Sequence, residues 1–473
     1  MPNTPYLSAP IASTEMPPGI PYIIGNEAAE RFSFYGMRTI LVVFMTRFLL
    51  DSHGNEAFMT NEDAKSYYHL FVASAYFFPV LGAILSDVWW GKYLTILSLS
   101  LVYCLGHAAL AVDDTRIGLF TGLALIAIGA GGIKPCVSAH VGDQFGKSNA
   151  HLLERVYGWF YFSINFGSFF STILTPWLLQ ECPQWLIKKF GIVSPDVVAK
   201  IEHLGPHLAF GVPGLLMLIA TFVFWMGRYK FAHIPPRGVK DIAAALKGGG
   251  ILALLKLVPI FILVAVFWSL YDQTGSAWVL QADQMDRHWL RHEWLSSQIQ
   301  AVNPLLILLL MPFFSYIGYP LINKVFRLTP LRKMSLGLFL TVAAFTISSL
   351  AQEQIDAGKT PNIVWQLAAY VVITAAEVMV SITGLEFSYT QAPRELKSVV
   401  MSMWMLTVSL GNFFTMLVNK FIQNQDGSVK LAGAAYYWFF TELMLGAAVL
   451  FIIVACFYRE KTYIQEEQQA SVG

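Results

Sequence analysis

The sequence predicts an all-α membrane protein with twelve transmembrane helices, and two observations carry that prediction. Hydrophobic residues make up 56% of the 473 residues, charged residues only 13%, and the mean hydropathy is +0.55. A soluble chain carries about 25% charged residues. The apolar residues also fall into long, unbroken runs, and about 20 of them are enough for a helix to cross the hydrocarbon core. Membrane β-barrels instead show short alternating segments, so the helical class is favoured.

Twelve such runs follow one another along the chain, separated by short polar segments. Each is long enough to span a bilayer as one helix. They cover about residues 22–50, 65–89, 93–112, 117–140, 155–178, 207–227, 252–283, 299–323, 333–351, 363–390, 398–418 and 435–458.

A basic linker at residues 228–250 divides the twelve runs into two sets of six. We therefore expect an N-terminal six-helix bundle over residues 22–227 and a C-terminal six-helix bundle over residues 251–458, with a central cavity between them. The polar, Pro-rich residues 1–21 are expected to be disordered. Residues 459–473 are expected to form a cytoplasmic tail.

The distribution of Lys and Arg predicts the orientation in the membrane, because cytoplasmic loops carry an excess of these residues. With the N-terminus inside, the inner segments hold 16 Lys and Arg and the outer segments 11, and the linker alone holds five. We expect a multi-pass protein of the inner (plasma) membrane with both termini cytoplasmic. Three of the four Cys lie in predicted spans, so no disulfide framework is indicated.

The loop between the second and third spans, GAILSDVWWGK (82–92), carries a Gly, an Asp five residues later and then Gly-Lys. This spacing resembles the cytoplasmic loop motif of the major facilitator superfamily, whose two six-helix halves are parallel repeats. The loop GYPLINKVFRLTPLRK between spans eight and nine is a weaker copy of it. The resemblance implies the major facilitator superfamily fold.

The first span begins with a charged cluster. Glu27, Glu30, Arg31 and Arg38 lie near one stripe of a helix, and Tyr35 follows Arg31 by four residues. A charge at the bilayer centre costs at least about 2.5–3.5 kcal/mol, so such groups face a bundle interior or a wet cavity. Two acids against one local base leave one excess negative charge that a proton would remove. The cluster is therefore a candidate proton site, and the alternative is a static network of ion pairs.

Charges in other spans form opposed pairs under the repeat. Arg38 in span one corresponds to Asp272 in span seven, and Lys134 in span four corresponds to Glu377 in span ten. The central cavity would then have a cation on one wall and an anion on the other, which suits a zwitterion. An extended di- or tripeptide separates its termini by roughly 7–10 Å. Its amine would contact Glu377 and its carboxylate would lie toward Lys134 and Arg31.

Five motifs, in order along the chain, resemble those of the proton-coupled oligopeptide transporter family. The first-helix motif departs once, with Phe34 where a Tyr is usual. The matching segments are EAAERFSFYG (27–36), GGIKPCVSAHVGDQF (131–145), FWSLYDQTGSAWVLQADQM (267–285), NPLLILLLMPFF (303–314) and AEVMVSITGLEFSYTQAP (376–393).

This resemblance implies proton-coupled symport of di- and tripeptides into the cell by alternating access, and it implies a role for each matching residue. It gives proton coupling to Glu27, Glu30, Arg31, His69 and Lys134. It gives gating on the outer side to Arg38 and Asp272. It gives substrate binding to Arg31, Tyr35, Arg38, Tyr76, Lys134, Asn165, Trp278, Asn303, Glu377 and Trp404. For Tyr76 and Trp404, packing in the core or at the lipid boundary is the alternative. For Asn165 and Asn303, the alternative is a hydrogen bond between helices.

Other function classes are disfavoured. The sequence lacks H-E-x-x-H, G-x-S-x-G, a Gly-rich phosphate loop and Cys/His metal spacing, so we expect no enzyme, no cofactor and no metal. A net charge of +1 gives no indication of nucleic-acid binding. We expect a monomer. Within transport, the alternative is a proton-coupled symporter of another small anion or zwitterion, such as nitrate or a modified peptide.

Overall fold

The computed structural model describes residues 6–236, 250–391, 397–424 and 428–458. Within these ranges, nine helical segments are apolar enough to cross a membrane by length and composition alone, and one of them, Asn61–Val112, contains two of the twelve long helices. The first helix is not among the nine because its charged cluster lowers its hydropathy. The twelve predicted runs are present as twelve long helical segments of the described chain.

The first six long helices form the N-terminal bundle. Two short helices, α6 and α7, lie between the fifth and sixth of them. Threonine caps start two of the helices: the Thr60 hydroxyl accepts from the amide of Asp63, and Thr115 from that of Ile117. The bounds are α1 Ile20–Arg47, α2 Asn61–Ile84, α3 Gly91–Val112, α4 Arg116–Gly142, α5 Leu153–Gln180, α6 Cys182–Phe190, α7 Pro195–Glu202 and α8 Leu204–Met226.

The C-terminal bundle repeats this plan with more interruptions. Its first long helix is broken by a 3₁₀ turn at Asp272–Gly275, and π-helical turns occur at Phe314–Gly318 and Val378–Ile382. A two-stranded hairpin, β1 His288–Trp289 and β2 His292–Glu293, pairs His288 with Glu293. The helices are α9 Gly250–Tyr271, α10 Ala277–Ala282, α11 Val302–Phe313, α12 Tyr319–Val325, α13 Pro330–Asp356, α14 Val364–Glu377, α15 Thr383–Gln391, α16 Lys397–Ile422 and α17 Ala434–Phe457.

Each bundle has its own hydrophobic core. One core is drawn almost wholly from residues 20–231, and the other from residues 257–451. Glycines allow close crossings inside the bundles: a Cβ on Gly82 of α2 would lie 2.1 Å from the carbonyl oxygen of Gly132 on α4. The bundles meet where α2 packs along α16, where α5 packs against α11, and where α1 meets the 3₁₀ turn after α9.

The two ends of the molecule are distinguished by their loops. The linker side carries the start of α1, the connection between α2 and α3, and residues 227–236. The opposite side carries the loops after α1, α3 and α5 and the β hairpin. On the linker side, a π-helical turn at Leu85–Trp90 and a positive φ of 72° at Gly91 reverse the chain, and Lys92 reaches the carboxylate of Asp143 at 2.7 Å.

Residues 6–19 differ from the disorder predicted for residues 1–21. The carbonyl of Leu7 accepts from the amide of His233 at 2.7 Å, and the ring of Tyr6 stacks on that of His233 at 4.3 Å. Ser148 donates to the carbonyl of Ser13 at 2.8 Å. These aromatic and backbone contacts hold the segment on the linker side, and α1 begins at Ile20. Most of the predicted linker (residues 237–249) and the tail at 459–473 lie outside the described residues.

Candidate functional site

A cavity of about 600 Å³ lies between the two bundles. Lys134 lines it together with Tyr157 of the N-terminal bundle and Tyr389 and Met405 of the C-terminal bundle. Asp87 and residues 234–236 also line it, so it reaches the linker side. Its volume is within the range of about 300–1,000 Å³ that is usual for small-molecule sites.

The charged cluster of α1 is buried close to this cavity. Arg31 Nε lies 2.7 Å from Glu27 Oε1 and 3.3 Å from Glu30 Oε2, and both carboxylates are only 1% exposed. Among the described residues, no group donates a hydrogen bond to either oxygen of Glu30. Glu30 is therefore held by charge alone, so a proton on it would release its hold on Arg31.

Lys134 stands beside this cluster without a hydrogen-bond partner among the described residues. Its amine lies 3.8 Å from the ring centre of Phe34 and 4.2 Å from that of Tyr76. The two aromatic faces attract the ammonium but accept none of its conventional hydrogen bonds. Lys134 is thus a cation that can still bind an anion, and Tyr76 is one of the groups that position it.

The predicted anion lies on the C-terminal bundle and does not itself line this cavity. Glu377, at the end of α14, accepts from Asn303 Nδ2 at 2.8 Å, and the Tyr271 hydroxyl also hydrogen-bonds to it. Tyr35 and Tyr161 of the N-terminal bundle are near enough to Glu377 to interact electrostatically. The predicted anion is therefore fixed at the bundle interface and faces aromatic hydroxyl groups from the other bundle.

A second polar network joins the bundles toward the opposite side. Arg38 forms an ion pair with Asp272, and its Nε donates to the Tyr68 hydroxyl at 2.6 Å. The other oxygen of Asp272 accepts from Asn412 Nδ2 at 2.6 Å. Arg38 is 8% exposed and Asp272 is 2% exposed. A buried pair of this kind is costly to break by removing one partner, so these residues form a strong contact between the two bundles.

His69, for which the resemblance implies proton coupling, belongs to this second network and does not contact the α1 cluster of Glu27, Glu30 and Arg31. Its Nδ1 lies 2.7 Å from Asn412 Oδ1, and its Nε2 lies 2.9 Å from Ser276 Oγ. The reason is helix direction, because α1 and α2 are antiparallel. His69 is eight residues from the start of α2 and Arg38 nine from the end of α1, which puts both about 12–14 Å from the opposite end. Glu30 is about 25 Å from that end.

The partners of His69 indicate which of its nitrogens carries the proton. Asn412 Nδ2 donates to Asp272 and to the carbonyl of Val408, so its Oδ1 must be the acceptor toward His69. Nδ1 of the neutral ring then carries the proton, and Nε2 accepts from the Ser276 hydroxyl. A second proton on Nε2 would turn the ring into a donor toward Ser276 and place a positive charge beside Arg38.

Further toward the opposite side, Arg47 pairs with Asp283 at 2.7 Å. The nearby Asp286 accepts instead from Asn362 and His288. Arg47 is 47% exposed at its side chain, and exposed pairs contribute about 0–1 kcal/mol. This contact therefore adds little to the contact between the bundles that Arg38 and Asp272 form.

Among the described residues that line the cavity, Lys134 is the only predicted substrate-binding residue. Two of the others, both tryptophans, are packed inside the C-terminal bundle. Trp278 is fully buried among the rings of Phe345 and Tyr370, on the short helix α10 that follows the 3₁₀ turn at Asp272–Gly275. Trp404 is 3% exposed and stacks on Gly384, where an added Cβ would lie 2.1 Å from the indole ring. Both tryptophans are packing residues of the C-terminal bundle in this conformation.

Asn165 is buried on α5, and its side chain donates to the carbonyl of Tyr161 one turn earlier at 3.1 Å. This bond lies within one helix and does not join α5 to another helix. Sequence reasoning did not select Tyr68, Tyr271, Ser276 or Asn412. A buried Asn in the apolar eleventh span was a usable signal for Asn412, because polar groups inside spans bond between helices. Tyr68 and Tyr271 gave no such signal among the many aromatics.

Comparison with known proteins identifies the family. The sequence pattern of the POT family matches residues 93–248 and 246–439 of this chain. Solute carrier family 15 member 2 of Rattus norvegicus is 35% identical over 430 residues, which is 81% of this chain and 56% of that protein. Peptide transporter family 1 of Drosophila melanogaster is 37% identical over 373 residues, 70% of this chain and 47% of that protein. The chain thus spans about half the length of the curated relatives it matches.

Solved structures agree over nearly the whole chain. The crystal structure of an auto-inhibited POT family peptide transporter superposes with a TM-score of 0.82 at 36% identity, covering 95% of this chain and 99% of that one. The POT family transporter PepTSo superposes with a TM-score of 0.79 at 35% identity, covering 93% and 98%. These matches confirm the predicted major facilitator type of fold and a family of transporters, not enzymes. The chain belongs to the POT family of membrane transporters.

Proposed function

We propose that this protein carries di- and tripeptides into the cell together with protons, by alternating access between its two bundles. The observation that carries the proposal is a pair of opposite charges on the two bundles, with Lys134 at the cavity and Glu377 at the interface between the bundles. Lys134 is a buried amine without a hydrogen-bond partner among the described residues, and Glu377 is a carboxylate fixed by Asn303 on the facing bundle. A peptide with free termini supplies one ion of the correct sign for each.

The proposed orientation places the linker side in the cytoplasm of a cell whose plasma membrane holds the protein, with both termini inside. The closed network of Arg38, Asp272 and His69 then faces outward, and the cavity that reaches Asp87 faces inward. The structure corresponds to the inward-facing state of the proposed cycle. Peptide release to the cytoplasm and proton release from the α1 cluster would take place from this state.

The proton step rests on the α1 cluster. With Glu30 charged, Arg31 is engaged by Glu27 and Glu30. Protonating Glu30 removes one of these attractions and leaves Arg31, with Lys134, free to bind a peptide carboxylate. Binding a proton and binding a peptide would therefore stabilise one another, which is the thermodynamic requirement for coupling.

His69 would act on the outer network instead of directly on the α1 cluster. A proton on Nε2 would oppose the hydrogen bond that Ser276 donates and would add positive charge near Arg38. Both effects weaken the closed network and favour opening to the outside. Proton coupling by His69 is thus proposed to run through the gate.

Binding measurements on the purified protein test the charge pair. Dialanine should bind measurably by calorimetry, whereas N-acetyl-dialanine and dialanine amide should each bind at least about thirtyfold more weakly, because each leaves one buried charge unpaired at a cost of about 2–5 kcal/mol. Free alanine reaches only one wall and should also bind weakly. Equal affinity for dialanine and its acetylated form would overturn the proposed peptide orientation.

A further inference from the structure

A second contact between the bundles on the opposite side involves a buried lysine. Lys65 lies one turn before His69 on α2 and is only 7% exposed. Its amine is 4.1 Å from the ring centre of Tyr436, on α17 of the other bundle. On its own helix, the amine lies 3.6 Å from Glu62 Oε1. A lysine so deeply buried loses most of its hydration, and a cation over an aromatic face is stabilised most when it is desolvated.

The aromatic partner is rigidly held. Tyr436 is 3% exposed, and its ring packs edge-on against Tyr437 at 5.6 Å and against Phe440 at 5.1 Å. A small cavity of about 160 Å³ next to it is lined by Glu62, Lys65 and Gln281, among others. The ring therefore presents a fixed face to Lys65, and relative movement of the two bundles would separate the pair.

Neighbouring bonds place the contact in a continuous seam between α2 and the last two helices. Ser66 donates to the carbonyl of Met416 at 3.3 Å, and Gln423 donates to the Thr60 hydroxyl at 3.3 Å. This seam reaches from the start of α2 to the His69 network. Opening the opposite side must part it.

We propose that Lys65 and Tyr436 form a second latch, which holds the opposite side closed in addition to the ion pair of Arg38 and Asp272. The proposal rests on the alternating access proposed above. The two contacts differ in the charges that remain unpaired when the opposite side opens. Parting Arg38 from Asp272 separates two opposite charges. Parting Lys65 from Tyr436 leaves Lys65 beside Glu62 on the same helix, so the charge stays balanced within one bundle.

This difference gives the latch a distinct role in the cycle. The Arg38 pair resists opening until its charges are compensated. The contact between Lys65 and Tyr436 makes a smaller contribution to the free energy of opening, and this contribution sets how often the closed side opens. Losing it is expected to raise the ratio of open to closed molecules by about 2- to 30-fold, from about 0.5–2 kcal/mol for a cation over an aromatic ring. Lys65 is thus a positioning residue and does not contact peptide.

Spin-label distances between Ser52 and His292, exposed on the opposite side of the two bundles, test the latch. The labels are placed in the full chain with its four native cysteines replaced and with dialanine uptake retained. Tyr436→Leu removes the ring, whereas Tyr436→Phe keeps the ring and removes only the hydroxyl. Lys65→Met removes the charge at similar length, whereas Lys65→Arg keeps a cation.

Tyr436→Leu and Lys65→Met should each raise the long-distance population by a similar factor, and the double variant by no more than either alone. Tyr436→Phe and Lys65→Arg should match the parent. The latch is refuted if Tyr436→Phe opens the protein as far as Tyr436→Leu does, if the two effects simply add, or if Lys65→Met changes nothing. If Tyr436→Leu does not fold, the comparison of Lys65→Met with Lys65→Arg still tests the latch. The distances report opening whatever the substrate proves to be, so this test and the peptide-binding test can fail independently.

Discussion

Replacing Gly275 by Ala should open the side of the molecule that the structure shows closed. A Cβ at this position would lie 2.0 Å from the Tyr68 hydroxyl oxygen and 2.7 Å from the ring carbon that bears it. Tyr68 cannot retreat, because it is fully buried and its hydroxyl accepts from Arg38 Nε at 2.6 Å. Gly275 is on the C-terminal bundle and Tyr68 on the N-terminal bundle, so moving the bundles apart relieves the overlap.

The size of the effect follows from overpacking. Forcing extra methyl groups into a well-packed interior costs about 1–3 kcal/mol. If opening relieves the whole of that cost, the ratio of open to closed molecules rises by about 5- to 140-fold. The same spin-label pair at Ser52 and His292 measures this ratio as the fraction of long distances.

A matched control is available in the same bundle. Gly446 lies in α17, and an added Cβ there meets no atom within 4 Å. Gly446→Ala should therefore leave the distances unchanged. Opening by Gly275→Ala is refuted if the variant has the same distance distribution as the parent protein. It is also refuted if the variant has a lower melting temperature but no larger long-distance population. In either case, the contact between Gly275 and Tyr68 would not report the gate.

Four further changes test other parts of the account. Glu30→Gln should abolish uptake driven by a pH gradient but spare peptide counterflow, because Gln imitates the protonated acid; gradient-driven uptake at the parental rate would make the α1 cluster purely structural. Glu377→Gln should weaken dialanine binding yet barely change the binding of acetylated dialanine; equal losses for both would remove Glu377 from the amine site. His69→Gln should alter the pH profile of uptake, since its network holds the closed side; an identical profile would exclude it from coupling. Gly82→Ala should lower thermal stability by driving α2 from α4, whereas Gly158→Ala, with nothing within 4 Å, should not.

The sequence allowed the fold and the charged pairs to be predicted because both depend on regular geometry. Apolar run length gives the helices, helical periodicity places Glu27, Glu30 and Arg31 on one face, and the two-fold repeat pairs span one with span seven. The contact between Arg38 and Asp272 depends only on which helices face each other and on their approximate height. The roles of these residues in coupling and gating remain proposals.

The positions of Trp278, His69 and Tyr271 could not be predicted from helical periodicity. Trp278 was expected at the cavity because span seven reads as one continuous helix, but the 3₁₀ turn at 272–275 rotates the helix after it. The family resemblance grouped His69 with the α1 cluster as a proton-coupling residue. Counting residues from the helix ends instead puts His69 level with Arg38. Tyr271 reaches Glu377 through side-chain geometry that a single sequence does not show.

Proton-driven accumulation of a peptide is the direct test of proton-coupled peptide transport by this protein. The purified protein is reconstituted into liposomes, and uptake of labelled dialanine is followed with the outside more acidic than the inside. The account predicts that dialanine accumulates above its external concentration, that a protonophore abolishes the accumulation, and that excess unlabelled dipeptide competes while free alanine does not. Uptake that stops at the external concentration, or is unchanged when the pH gradient is collapsed, would contradict proton-coupled peptide transport.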